Sequence, residues 1–169
     1  MRNKLQSIKF QRIFSIVLCV LCVAFIFSNS LDDAARSSDK SGAVVAILQG
    51  IADVFFDNVI ISENVIRTAA HFAEFALLGF CLIFAVKTFT QKYIQNIFIA
   101  FFTALAVAVI DEILQLFSDG RAADVLDIVV DFSGAVAGML FFVFIVNLPN
   151  IIRNIKVIFW RRRDNGKQK

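Results

Sequence analysis

Residues 111–138 read DEILQLFSDGRAADVLDIVVDFSGAVAG. Five Asp, one Glu, one Arg and one Gln stand here beside two very apolar segments. These are IFIAFFTALAVAVI (97–110) before the stretch and AVAGMLFFVFIVNL (135–148), which begins inside it. Both flanks have the composition of lipid-embedded helix, and charge within or beside hydrocarbon is expensive enough that it is usually kept for a purpose. A second, smaller polar group, Arg67, His71 and Glu74, opens another apolar segment. The reading that follows is that the two groups meet at one end of a helix bundle and form one polar site.

Composition supports a membrane setting. Of 169 residues, 59% are hydrophobic, with 20 Phe and a single Pro, whereas soluble domains sit at about 45–50% apolar. The amount of chain suits one integral membrane domain with no separate soluble one. A net charge of +3 is a topology signal here, not a nucleic-acid footprint, so no nucleic-acid partner is expected. Cys19, Cys22 and Cys81 all fall in apolar runs. The Cys19–Cys22 spacing resembles a redox pair, but thiols in lipid pack as small apolar groups, and no disulfide framework is implied.

Residues 1–12 carry four basic residues and no acid, and an apolar run over 13–27 follows. A secretory signal peptide shares this pattern; with further spans behind it, an uncleaved first helix is the expectation. Residues 32–41 read as a polar connector. Residues 43–61 are apolar apart from Gln49, Asp53 and Asp57, which share one helical face and suit an amphipathic helix lying on the membrane surface. Ser62 is a plausible N-cap, with Glu63 in the first turn, of a second spanning helix running to residue 89. A third span covers 94–110 and continues about a turn further. Ser118-Asp119-Gly120 is a turn signal in which Gly can take positive φ. The fourth helix is expected to start at residue 122 or 123 and to end at Asn147-Leu148-Pro149. Gly134 and Gly138 form GxxxG, which lets helices approach closely in lipid; the simplest role is packing against a neighbouring helix, and the alternative is a homodimer seam.

Lys and Arg set the orientation. Residues 1–12 hold four, 87–92 hold two and the tail from Asn150 holds seven, so thirteen of the 17 lie on one side. Of the 14 acids only Asp164 shares that side. Basic loops stay in the cytoplasm, which gives a multi-pass membrane protein with both termini in the cytoplasm. The expected fold is all-α: a four-helix transmembrane bundle with an extracytoplasmic amphipathic helix between helices 1 and 2. Its parts are a basic cytoplasmic N-terminus (1–12), the four-span domain (13–147) and a basic cytoplasmic tail (148–169).

The polar residues fall on aligned faces. Arg67, His71 and Glu74 are spaced i, i+4, i+7, with Glu74 about 10 Å along the helix from Arg67. Asp111 and Gln115 are i, i+4, while Glu112 is rotated about 100° away. Asp124, Asp127 and Asp131 share a stripe that repels itself unless a positive group sits among them. Arg67, Arg121 and a charged His71 are the candidates within the chain, or else a metal ion or a cationic ligand group. The plain alternative is an ion-pair network that only fixes bundle geometry.

At these residues a family resemblance becomes specific. Asp111-Glu112-x-x-Gln115, Gly120-Arg121, Asp124, Asp127 and Gly134-x-x-x-Gly138 resemble the signature of the VanZ-like membrane proteins. His71-Phe72-x-Glu74-Phe75-x-x-Leu78 is similar to that family's His-Phe-x-Glu-Tyr-x-x-Leu segment, and Phe-Ser-Asn-Ser at 27–30 with Ser37 and Ser38 to its first-loop serines. Arg67 would serve as the basic residue before the His; Asp131 stands where the family often has Asn. The resemblance implies a four-helix bacterial membrane protein linked to teicoplanin (lipoglycopeptide) resistance, and carries over no chemistry.

Three function classes follow. One is a binder whose ligand-contacting set is Arg67, His71, Glu74, Asp111, Glu112, Gln115, Arg121, Asp124, Asp127 and Asp131. It would take a lipid-linked cell-wall precursor or a lipoglycopeptide at the bilayer. The second is a metal-assisted hydrolase or transferase acting on a lipid phosphate. A divalent cation such as Mg²⁺ or Ca²⁺ would be its cofactor, with catalytic candidates His71, Glu74, Asp111 and Asp127. The third, a proton- or ion-coupled transporter, has few spans to work with.

Overall fold

The computed structural model describes residues 2–55, 60–89, 92–121 and 123–166. Among them the fold is all helical: α1 (Arg2–Ser30), α2 (Ala34–Phe55), α3 (Glu63–Phe89), α4 (Tyr93–Gln115) and α5 (Val125–Gly166). Four stretches are long and apolar enough to cross a membrane: Gln6–Ser30, Glu63–Phe89, Gln95–Gln115 and Val125–Asn150. A hydrocarbon core of about 30 Å needs about 20 helical residues, so each has length to spare. The outward faces stay apolar, with Phe14, Val20, Phe98, Phe102, Leu140 and Phe144 all exposed. Such a surface suits lipid, not water.

α3 is the central helix, packed on α5 most extensively and then on α1, α4 and α2. Phe75 and Leu78 fill its core-facing side, against Ile26, Ala100, Ala104, Ala108 and Ala135. The many alanines matter because apolar side chains gain little by leaving lipid for protein, so close backbone packing has to hold the helices together. The GxxxG face is spent within the chain. A Cβ on Gly134 would stand 2.3 Å from the Phe72 carbonyl oxygen, and one on Gly138 1.8 Å from that of Ala76. Gly79 on α3 meets Ala135 in the same way. Cys22 faces Cys81 across α1 and α3 at 3.9 Å, and all three thiols are free.

Three boundaries differ from the sequence expectation. The polar connector over 32–41 is mostly helix, because Asp33 caps it: its Oδ1 accepts the Arg36 N–H at 2.7 Å, and its carbonyl accepts that of Ser37. The surface helix therefore spans Ala34–Phe55 instead of 43–61; Gln49 and Asp53 pair along one face at 2.6 Å, and Asp57 lies outside the described residues. The last helix starts at Val125 and does not stop at Asn147-Leu148-Pro149 but runs to Gly166 with Pro149 inside it. A proline removes one backbone donor and crowds the carbonyl four residues back, and at the end of the apolar stretch that loss falls where lipid gives way to polar surroundings.

Candidate functional site

Chain direction alternates between successive spans, so the C-terminal ends of α1 and α4 and the N-terminal ends of α3 and α5 lie at one end of the bundle. That end carries the polar residues. α4 tightens as it finishes, through bonds from the Leu116, Phe117 and Ser118 N–H groups to the carbonyls three residues back. Gly120 then turns the chain at φ 75°, a conformation that favours glycine. Ser118 Oγ donates to the Ser30 carbonyl at 2.8 Å and ties this turn to the end of α1. Glu112 accepts the Asp124 N–H, and Asp124 accepts that of Leu126 at 2.9 Å, which caps α5.

His71 on α3, Asp111 on α4 and Asp131 on α5 come together, with one ligand atom of each within 4.8 Å of the other two. Asp111 is 0% and Asp131 1% exposed. Their surroundings differ. Asp111 is held from two sides, by Ser30 Oγ at 2.5 Å and Gln115 Nε2 at 3.4 Å. Neither oxygen of Asp131 has a hydrogen-bond partner among the described residues. Across from it is the imidazole of His71, whose Nδ1 stands 3.9 Å from Oδ1, beyond hydrogen-bond reach, and is itself without a hydrogen bond among the described residues.

Next to this group is a cleft of about 180 Å³ between α1, α2 and α3, closed on one side by Arg121. One wall presents Arg67, His71 and Glu74, and the other Asn29, Lys40 and Ser41. Glu74 Oε1 accepts from Asn29 Nδ2 at 2.9 Å while Oε2 has no partner, and Asn29 Oδ1 in turn accepts from Lys40 Nζ at 3.3 Å. Lys40 also bonds Asp32, with Arg36 3.4 Å from the same carboxylate. The Lys40 ammonium above all holds the Asp32 pKa below its ordinary value. Arg67 and Arg121 form no ion pair among the described residues. Burial, and then the charge of Arg67, pull the Arg121 pKa below the usual arginine range.

Of the sequence candidates, Arg67, His71, Glu74 and Arg121 line the cleft, and His71 also meets Asp111 and Asp131, with Gln115 bonded to Asp111. Asp127 is half-buried in a narrow groove shared with Arg67, His71 and Asp131. Glu112 and Asp124 face the α4–α5 turn, though Asp124 also lines a second cavity with Arg67 and Arg121. Asn29, Ser30, Asp32 and Lys40 were not among the candidates. The Phe-Ser-Asn-Ser run at 27–30 was the available signal for Asn29 and Ser30.

No curated protein and no solved structure matches the chain. A family does, over residues 14–147 and so across all four spans and every polar residue just described. With four apolar helices bearing one shared polar end, this multi-pass membrane protein belongs to the VanZ/LLP1 family.

Proposed function

We propose that this protein binds, at the outer surface of a bacterial cytoplasmic membrane, the anionic head group of a lipid-linked cell-wall precursor or of a lipoglycopeptide anchored beside it. Family membership points to glycopeptide resistance of the teicoplanin type, and head-group binding is a physical route to it. The observation that carries the reading is the cleft, where Arg67 and Arg121 converge without an ion-pair partner among the described residues. A guanidinium matches phosphate or carboxylate with two parallel hydrogen bonds. The acid excess of this region is layered: Asp111 and Asp131 are buried, while Arg67 is exposed at the mouth. Thirteen of the 17 Lys and Arg belong to the opposite end, which supports an extracytoplasmic cleft with both termini inside.

The test is reconstitution into vesicles with labelled precursor and labelled glycopeptide. Saturable binding is expected, weakened tenfold or more (on the order of 1.4 kcal/mol) by Arg67→Ala and again by Arg121→Ala. Absence of saturable binding, or binding indifferent to both variants, removes the proposal.

A second reading, a hydrolase or transferase acting on a lipid phosphate, is favoured by the two carboxylates that meet His71, an imidazole lining the same cleft. Its test is turnover of a lipid phosphate before and after chelation. No turnover in either state counts against it.

A further inference from the structure

We infer that His71, Asp111 and Asp131 form a binding site for a single divalent cation of the Zn²⁺ or Mn²⁺ type, reached from the cleft through His71. Three independent helices each contribute one ligand atom, and the three atoms lie within 4.8 Å of one another. A four-coordinate site with bonds of about 2.0–2.2 Å needs ligand atoms somewhat nearer than this, an approach that small side-chain rotations supply. The second observation is Asp131 itself. It is 1% exposed, and both its oxygens lack a hydrogen bond among the described residues. A buried carboxylate of this kind calls for a strong partner, and the imidazole facing it, His71, stays 3.9 Å away with its own Nδ1 unsatisfied.

The donor set selects the ion. One imidazole with two carboxylates suits borderline cations, whereas Mg²⁺ and Ca²⁺ favour all-oxygen surroundings. Asp111 is already oriented in the manner of a metal ligand, with Ser30 Oγ and Gln115 Nε2 each donating to one of its oxygens. Three protein ligands leave a coordination position open. Because His71 also lines the cleft beside Arg67 and Arg121, a cation here would give an anionic head group a third positive contact. The inference deepens the second reading above, and cation binding is measured without any lipid, so the two fail separately.

The experiment uses full-length protein in detergent micelles, stripped with chelator and titrated with Zn²⁺ by calorimetry and with Mn²⁺ by electron paramagnetic resonance. One equivalent bound by the wild type is expected, with affinity reduced in Asp131→Asn and in His71→Gln by more than the roughly 10–100-fold that loss of a supporting partner costs. Gln115→Leu, which removes only a support of Asp111, should weaken binding less; it keeps the test open should a ligand variant misfold. Asp119→Asn, on the exposed turn, should bind like the wild type. A wild type that takes up neither ion, or an Asp131→Asn protein that binds with unchanged affinity, overturns the site and leaves an imidazole–carboxylate ion pair.

Discussion

Replacing Gly138 with alanine isolates what the α3–α5 seam contributes to stability. The added Cβ would stand 1.8 Å from the Ala76 carbonyl oxygen, an atom of helix backbone that cannot swing aside. Ordinary contact begins at 3.4 Å, so the helices must part by about 1.6 Å, and a gap of even 0.5–1 Å forfeits about a quarter to a half of each dispersion contact. Overpacking costs about 1–3 kcal/mol, and a change that opens the longest helix contact in the protein belongs at the upper end. Helix propensity acts in the opposite direction, favouring alanine by about 1 kcal/mol. The net expectation is about 2 kcal/mol of destabilisation. Gly50→Ala on α2 is the matched control, since its Cβ meets nothing within 4 Å and only the propensity gain of up to about 1 kcal/mol remains. Unfolding of both variants by a denaturing detergent, followed by circular dichroism, should place them on opposite sides of the wild type. If Gly138→Ala matches Gly50→Ala, the seam does not close as described and the reasoning is refuted.

Asn29→Ala strips Glu74 of its one hydrogen-bond donor among the described residues and should destabilise by about 1.5–3 kcal/mol; Glu74→Gln, which can still accept from Asn29, should cost less in the same unfolding assay. Asp32 carries a pKa lowered chiefly by Lys40. Its support for α2 is therefore complete above the unfolded carboxylate value of about 3.9 and fades as pH falls through the lower folded value. Energy transfer between dyes on α2 and α3 should distinguish Lys40→Met from wild type at neutral pH and lose that difference in acid; a constant difference would contradict it. Pro149→Ala restores a backbone donor inside a continuous helix and should stabilise by up to about 3 kcal/mol. A loss of stability there would argue that the helix ends at the proline after all.

How far the sequence revealed this architecture depended on whether a signal was periodic or contextual. Charge-interrupted apolar runs located all four spans, and α3 was legible residue by residue: Ser62 precedes it, Glu63 opens it and Phe89 ends it. The i, i+4, i+7 spacing of Arg67, His71 and Glu74 put them on one wall of the cleft, and i, i+4 spacing put Asp111 with Gln115. Glu112, a residue on, turns to the Asp124 backbone instead. Residues 32–41 misled because Asp and Ser are turn-formers by composition and the stretch carries charges of both signs. Their helix depends on one cap at Asp33, and Lys40 reaches the cleft only once that helix exists. Pro149 misled because a helix-breaking residue is tolerated where only one backbone bond is lost.

The seam and the polar site are two consequences of the same few residues. Gly134 lies one turn from Asp131 on α5, and the carbonyl it touches belongs to Phe72, the neighbour of His71 on α3. Backbone contact at Gly134 therefore fixes how near the Asp131 carboxylate comes to the imidazole across the helix pair. A larger residue there would keep α5 helical and apolar yet hold the charged groups apart. In lipid, where water does not gather around a displaced carboxylate, that separation would strand Asp131. A bundle of four spans has little interior in which to hide polar side chains. Here the interior is made by bringing backbones so close that His71, Asp111 and Asp131 come together from three helices, with Ser30 and Gln115 donating to Asp111. The glycines that hold the membrane fold together are in this sense also what sets the dimensions of the site.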